Sequence, residues 1–153
     1  MGNTGAPFDS FLVEDAEIAL PHYKAAVFCS PIPSQAGKRA IELCKRMGIP
    51  YLTATADHST LTSSEIQSFL KESGVHLYTE KNDVIYLGNG YIGLHSAVGE
   101  TKTITLPSAY QVSVIFGADL PPQITDTIRF DLPENATALF SVRKADGSTV
   151  FHP

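Results

Sequence analysis

The sequence predicts an α/β layer followed by an all-β unit, and three observations carry that prediction. Up to Gly74, short apolar runs alternate with amphipathic stretches of helical spacing. Beyond Gly74 the apolar residues recur at every second position. Turn-forming residues then cut the second half into short runs at roughly 8–12-residue intervals, the rhythm of sandwiches and barrels. The expected architecture is a short three-stranded parallel βαβα layer over residues 1–74 and an antiparallel β-sandwich-like unit over residues 75–153.

Gly5-Ala6-Pro7 is a turn ahead of the first apolar run, Phe11-Leu12-Val13. The second run, Ala25-Ala26-Val27-Phe28-Cys29, is continuous and bounded by polar and proline residues, as suits a strand buried on both faces. Pro33-Ser34 opens a helix in which Ala40, Leu43, Cys44 and Met47 make one stripe. Lys38, Arg39, Glu42, Lys45 and Arg46 take the other face, and Gly48 ends the helix. Tyr51-Leu52-Thr53-Ala54 is the third strand. Thr62-Ser63-Ser64-Glu65 is a capping box, followed by the apolar stripe of Ile66, Phe69 and Leu70 and stopped at Gly74. This order predicts parallel pairing with right-handed crossovers.

In the second half, Ile104 and Leu106 face one way while Thr103 and Thr105 face the other. Val112, Val114 and Phe116 share a face, as do Ile128, Phe130 and Leu132, and Ala138, Phe140 and Val142. Turns fall at Lys81-Asn82-Asp83, Gly88-Asn89-Gly90, Val98-Gly99-Glu100, Leu120-Pro121-Pro122 and Pro133-Glu134-Asn135. The Asn-Gly step is a hairpin signal, because both residues tolerate positive φ.

Composition bounds the function. The 153 residues are 43% hydrophobic and 18% charged, enough to bury a core. A net charge of −5 argues against a nucleic-acid partner, which needs a basic footprint. No apolar run approaches the ~18 residues of a membrane span, and the N-terminus lacks the basic and apolar regions of a secretory signal. Cys29 and Cys44 are the only cysteines, too few for a disulfide framework or a four-thiolate zinc site. The expectation is a cytoplasmic, acidic globular protein. A (β/α)8 barrel, at about 250 residues, does not fit. Three strands and two helices are half of a doubly wound domain, so the apolar surface of the first half needs a cover from elsewhere.

Specific residues carry a resemblance. Gly5-Ala6-Pro7-Phe8-Asp9, Phe11-Leu12-Val13-Glu14-Asp15 and Leu20-Pro21-His22-Tyr23-Lys24 resemble the trailing half of the trimerisation domain of family-42-type β-galactosidases and related glycoside hydrolases. That domain is similar to class I glutamine amidotransferases, so the resemblance implies half of a flavodoxin-like or amidotransferase-like layer. Ser73-Gly74-Val75-His76-Leu77-Tyr78, Asp83-Val84-Ile85-Tyr86 and Tyr91-Ile92-Gly93-Leu94-His95-Ser96 resemble the small C-terminal β domain of the same enzymes. So do Lys102-Thr103-Ile104-Thr105-Leu106-Pro107 and Thr137-Ala138-Leu139-Phe140. The resemblance covers nearly the whole chain, and its motifs are structural. The two catalytic glutamates of those enzymes sit on a (β/α)8 barrel absent from this sequence, so neither has a counterpart here. The resemblance implies a stand-alone remnant or a piece of a longer protein.

Candidate chemistry is sparse. Cys29 ends a predicted strand, where an amidotransferase-like nucleophile would sit, but no glycine flanks it to make a nucleophile elbow. Asp57-His58-Ser59 holds the residue types of a hydrolytic triad, which meet through a fold rather than in sequence. His76 and His95 are candidate cross-strand neighbours without the spacing of a zinc site, and Glu14, Asp15 and Glu17 surround a predicted strand end. Tyr78, Tyr86, Tyr91 and Tyr110 are the candidates for carbohydrate binding, since exposed aromatic faces pack on pyranose rings.

The expected function is a non-catalytic structural and assembly module, not an enzyme, with no catalytic residue, cofactor or metal. Its expected partner is another copy of itself or a hydrolase catalytic chain, with no nucleic acid and no membrane. A carbohydrate-binding accessory using the four tyrosines is one alternative. A small hydrolase using Cys29 or His58 is another.

Overall fold

In the computed structural model, which describes residues 3–58, 60–148 and 150, the chain divides into two compact units. Phe8–Val75 form an α/β unit, and the residues from His76 onward form a β unit together with those up to Pro7. The leading residues were expected with the first half, yet their hydrogen bonds lie in the second. The Gly5 carbonyl accepts from the Tyr78 N–H at 2.7 Å, and Thr4 and Ala6 are buried. Gly5 has φ +78°, and a Cβ there would collide with the Thr79 carbonyl oxygen, so only glycine allows the two segments this close.

Within the α/β unit, Phe11-Leu12-Val13 does not form a strand. Val13–Asp15 is a 3-10 turn that runs into α1 (Ala16–Ala19) and a second 3-10 turn, Leu20–His22. The physical reason is local. The apolar run is followed at once by Glu14 and Asp15, whose carboxylates favour a helical first turn. Phe11 finds its partner nearby, edge-on to Tyr23 at a centroid distance of 5.5 Å. Among the described residues the parallel sheet therefore has two strands, not three: β1 (Ala26–Phe28) and β2 (Tyr51–Thr53), paired from Ala26↔Tyr51 to Phe28↔Thr53. Between them runs α2 (Gln35–Met47), where the Ser34 hydroxyl accepts from the Gly37 N–H at 3.1 Å and Gly48 closes the end at φ 68°. Ala40 and Cys44 of its stripe are buried, whereas Met47 is exposed. α3 (Ser63–Glu72) begins with the predicted capping box, Thr62 with Glu65.

The β unit is one five-stranded antiparallel sheet, sandwich-like in form, in the order β3 (Val84–Gly88), β4 (Tyr91–His95), β7 (Thr137–Arg143), β5 (Glu100–Phe116), β6 (Gln123–Leu132). Asn89 and Gly90 turn the β3–β4 hairpin with φ of 50° and 79°. The runs 102–106 and 111–116, expected as separate strands, are one strand of 17 residues. Its pairing with β6 shifts register between Thr105 and Tyr110, around Pro107, which has no N–H to give a ladder.

β6 pairs along one edge of β5 at residues 100–105 and 110–112, and the other edge is shared. Thr105 N–H donates to the Tyr78 carbonyl at 2.8 Å, while residues 111–116 pair with β7. The strand thus borders a single core, which includes Ile92, Leu94, Ile104, Ile128, Phe140 and Val142. Each of these is fully buried and contributes about 1.5–3 kcal/mol of transfer free energy.

Candidate functional site

The four tyrosines separate into two pairs. Tyr78 is buried in the β-unit core, edge-on to the His76 ring at 4.7 Å, and burial with the nearby Tyr110 phenol pushes its hydroxyl pKa up to about 12. Tyr110 is half-buried against the same core. The segment holding Tyr78 lies between Gly5 and Thr105 and turns its side chain inward. Tyr86 and Tyr91 are exposed, at 63% and 41%. They share the outer face of the β3–β4 hairpin: Tyr86 pairs with Gly93 and Tyr91 with Gly88, which makes them diagonal neighbours about 7–8 Å apart. Gly93 leaves a shallow floor, since a Cβ there would meet Leu139 Cδ1 at 3.7 Å and Tyr86 Cβ at 3.8 Å.

The remaining candidates do not converge. Cys29 lies just past β1 and is exposed rather than ending a buried strand. Cys44 is buried on α2, and burial pushes its thiol pKa up. His58 Nε2 stands 3.0 Å from Glu65 Oε1, with Asp57 exposed beside it; Ser59 lies outside the described residues. Glu65 belongs first to the helix cap. Hydrogen bonds from the Thr62 side chain and backbone, then from His58, lower its carboxyl pKa to about 2. His76 and His95 are not cross-strand neighbours. His76 is not in a strand and lies 2.8 Å from the Thr105 carbonyl through Nε2, so it donates there. His95 Nδ1 meets the Thr137 hydroxyl at 2.9 Å. Glu14, Asp15 and Glu17 lie exposed along the first helical turns.

A different constellation occupies the interior of the β unit. Lys102 has a fully buried side chain, and its Nζ lies 2.8 Å from Asp83 Oδ1, the carboxylate itself 2% exposed. Glu100 Oε1 is 3.3 Å from the same Nζ. Lys81 Nζ holds the other Glu100 oxygen at 2.5 Å, and Lys81 first, Lys102 second, draw the Glu100 pKa below the ordinary carboxylate value. Asp83 Oδ1 also accepts from the Ala97 N–H at 3.1 Å, whereas its Oδ2 is buried with no hydrogen-bond partner among the described residues.

The sequence contained a signal for this cluster. The alternation that turns Ile104 and Leu106 inward turns Lys102 inward too, and an inward ammonium requires a partner. Nothing in the pattern named Asp83, which sits in a turn and reaches Lys102 only through the fold.

Comparison with protein-family profiles, with curated proteins and with solved structures finds no match to this chain. Among the described residues, no helix is long and apolar enough to cross a membrane.

Proposed function

We propose that the chain is a non-catalytic structural and assembly module, comparable in role to the C-terminal accessory region of a glycoside hydrolase, and that its α/β unit associates with a second copy of the chain. The supporting observation is the state of the parallel sheet. All six residues of β1 and β2 are only half-buried, although parallel strands ordinarily lie covered on both faces. The same unit exposes Phe11, Leu12, Ile18 and Ile32, and Leu12, Ile18 and Ile32 are each more than 70% accessible. Covering such surface is favourable by ~25 cal/mol per Å². Light scattering on the purified chain is expected to give a dimer or larger species, and Leu12→Glu with Ile18→Glu to shift it toward monomer. A monomer at every concentration ends the self-association reading; capture by a hydrolase catalytic chain alone would reassign the partner.

Carbohydrate binding is the second reading, favoured by Tyr86 and Tyr91 on one exposed face with Gly93 between Tyr86 and Leu139. Aromatic faces supply apolar contact for sugar rings, and phenol hydroxyls supply hydrogen bonds. Calorimetric titration with galactosides is expected to give binding that Tyr86→Ala weakens at least tenfold. No heat across a broad glycan panel eliminates this reading.

A further inference from the structure

The Lys102–Asp83 pair is a buried contact of 2.8 Å between Nζ and Oδ1. Its two residues come from positions far apart in the sheet. Asp83 precedes edge strand β3, and Lys102 is on β5, with β4 and β7 between them in the strand order. They meet across the core and not along a ladder. Lys102 is paired in register with Phe130, itself buried, so an apolar ring flanks the ammonium stem. The Asp83 carboxylate is held at one oxygen only: Oδ1 takes the Lys102 and Ala97 donors, and Oδ2 takes none among the described residues. A buried ion pair offsets the desolvation of its two charges only when its remaining hydrogen bonds are complete, and these are incomplete.

We propose that Lys102 and Asp83 condense spontaneously to an intramolecular amide, with Glu100 as the proton relay. One proton passes from Nζ along its 2.8 Å hydrogen bond to Asp83 Oδ1, giving a neutral amine and a neutral acid. The nitrogen lone pair attacks Cγ, which is one bond from the oxygen already 2.8 Å from Nζ. Glu100 Oε1, 3.3 Å from the same Nζ that holds Oδ1, takes a second proton from nitrogen and returns it to the departing Oδ1 hydroxyl, while Oδ2 stays as the carbonyl oxygen of the amide. The Nζ–Cγ bond forms, the Cγ–Oδ1 bond breaks and one water leaves. No oxidant, metal or co-reactant enters. Fixed proximity supplies the driving geometry, as intramolecular reactions of oriented groups require. The product replaces two buried charges with one neutral amide.

The test is the intact mass of the purified chain under denaturing conditions. The expected mass is one water below that of the sequence. Lys102→Met and Asp83→Ala are each expected to restore the full mass, and Asp83→Asn to lose ammonia and give the same amide. Trypsin gives the second measurement from the wild-type chain alone. Asp83 and Lys102 fall in one tryptic peptide, 82–102, so an acylated Lys102 blocks cleavage and leaves a dehydrated 82–129 product. After further cutting at Tyr86 and Tyr91, the fragments carrying Asp83 and Lys102 are expected to remain joined. A wild-type mass equal to that of the sequence overturns the proposal. So does a water loss that persists in Lys102→Met, which would then belong to Asp146-Gly147, a step prone to cyclise.

Discussion

The two units solve the same problem with unequal success. In the β unit, ladder neighbours place large side chains opposite one another, and Ile92, Leu94, Ile104, Ile128 and Phe140 all reach zero exposure. In the α/β unit the buried apolar residues are mostly small: Ala19, Ala40, Cys44 and Ala54, with Leu20 and Ile66 the larger ones. Its bigger side chains, Phe11, Leu12, Ile18 and Ile32, lie outside. A sheet closes when each strand has two neighbours. β1 and β2 have one each among the described residues, so the helices pack against a layer too narrow to use them fully. Rigidity is expected to follow the same division, with the α/β unit at the low-stability end of the molecule.

The largest effect that sharpens this contrast is in the β unit. Asp83→Ala leaves Lys102 Nζ buried without Asp83 as its partner, ionic or amide-linked, and is expected to cost at least ~3–5 kcal/mol in urea unfolding of that unit. A loss under 1 kcal/mol would show that water reaches the site and that the interior is less closed than its burial implies. Next in size is Gly5→Ala, which forces a Cβ into the Thr79 carbonyl at positive φ; roughly 1–3 kcal/mol is expected, again from the β unit. If the loss appears in the α/β unit instead, the leading residues belong there after all.

The smallest effect tests the weaker unit. Thr62→Ala removes the α3 cap and is expected to cost about 1 kcal/mol, read as helical signal. The cap is also pH-dependent. The Glu65 pKa falls from 4.5 to about 2 on folding, so its contribution is fully present above 4.5 and disappears as the pH drops toward 2. Glu65→Gln is expected to flatten that part of the acid titration. An unchanged profile would mean that the Thr62 hydrogen bonds do not persist in solution.

Legibility in the sequence tracked the range of the interactions. α2 and α3 were readable because Ser34, Gly48 and the Thr62–Glu65 box act within a few residues of the helix ends they define. The strands with period-two alternation were readable for a similar reason. Phe11-Leu12-Val13 misled because three apolar residues are too few to decide a period, and the acidic turn after them decided it instead. The 17-residue β5 was hidden by Pro107, where a bulge permits what a regular ladder forbids. The tyrosines were legible as residues but not as a surface. Cross-strand register sends Tyr86 and Tyr91 outward, and a tertiary hydrogen bond turns Tyr78 in. The Lys102–Asp83 pair joins residues with no local relation, so only half of it was visible.

The bond between Gly5 and Tyr78 has a consequence for the stretch it brackets. Residues 8–75 leave and return at two points already fastened to each other, as if closed by a cross-link. When that stretch melts, it melts as a ring and not as a free-ended coil, and a ring has fewer shapes to gain. The entropy withheld grows with loop length by only ~0.6 kcal/mol per doubling, but it is withheld from the disordered state alone. The sturdier half thereby lends persistence to the frailer one through chain statistics, without requiring any side-chain contact between them.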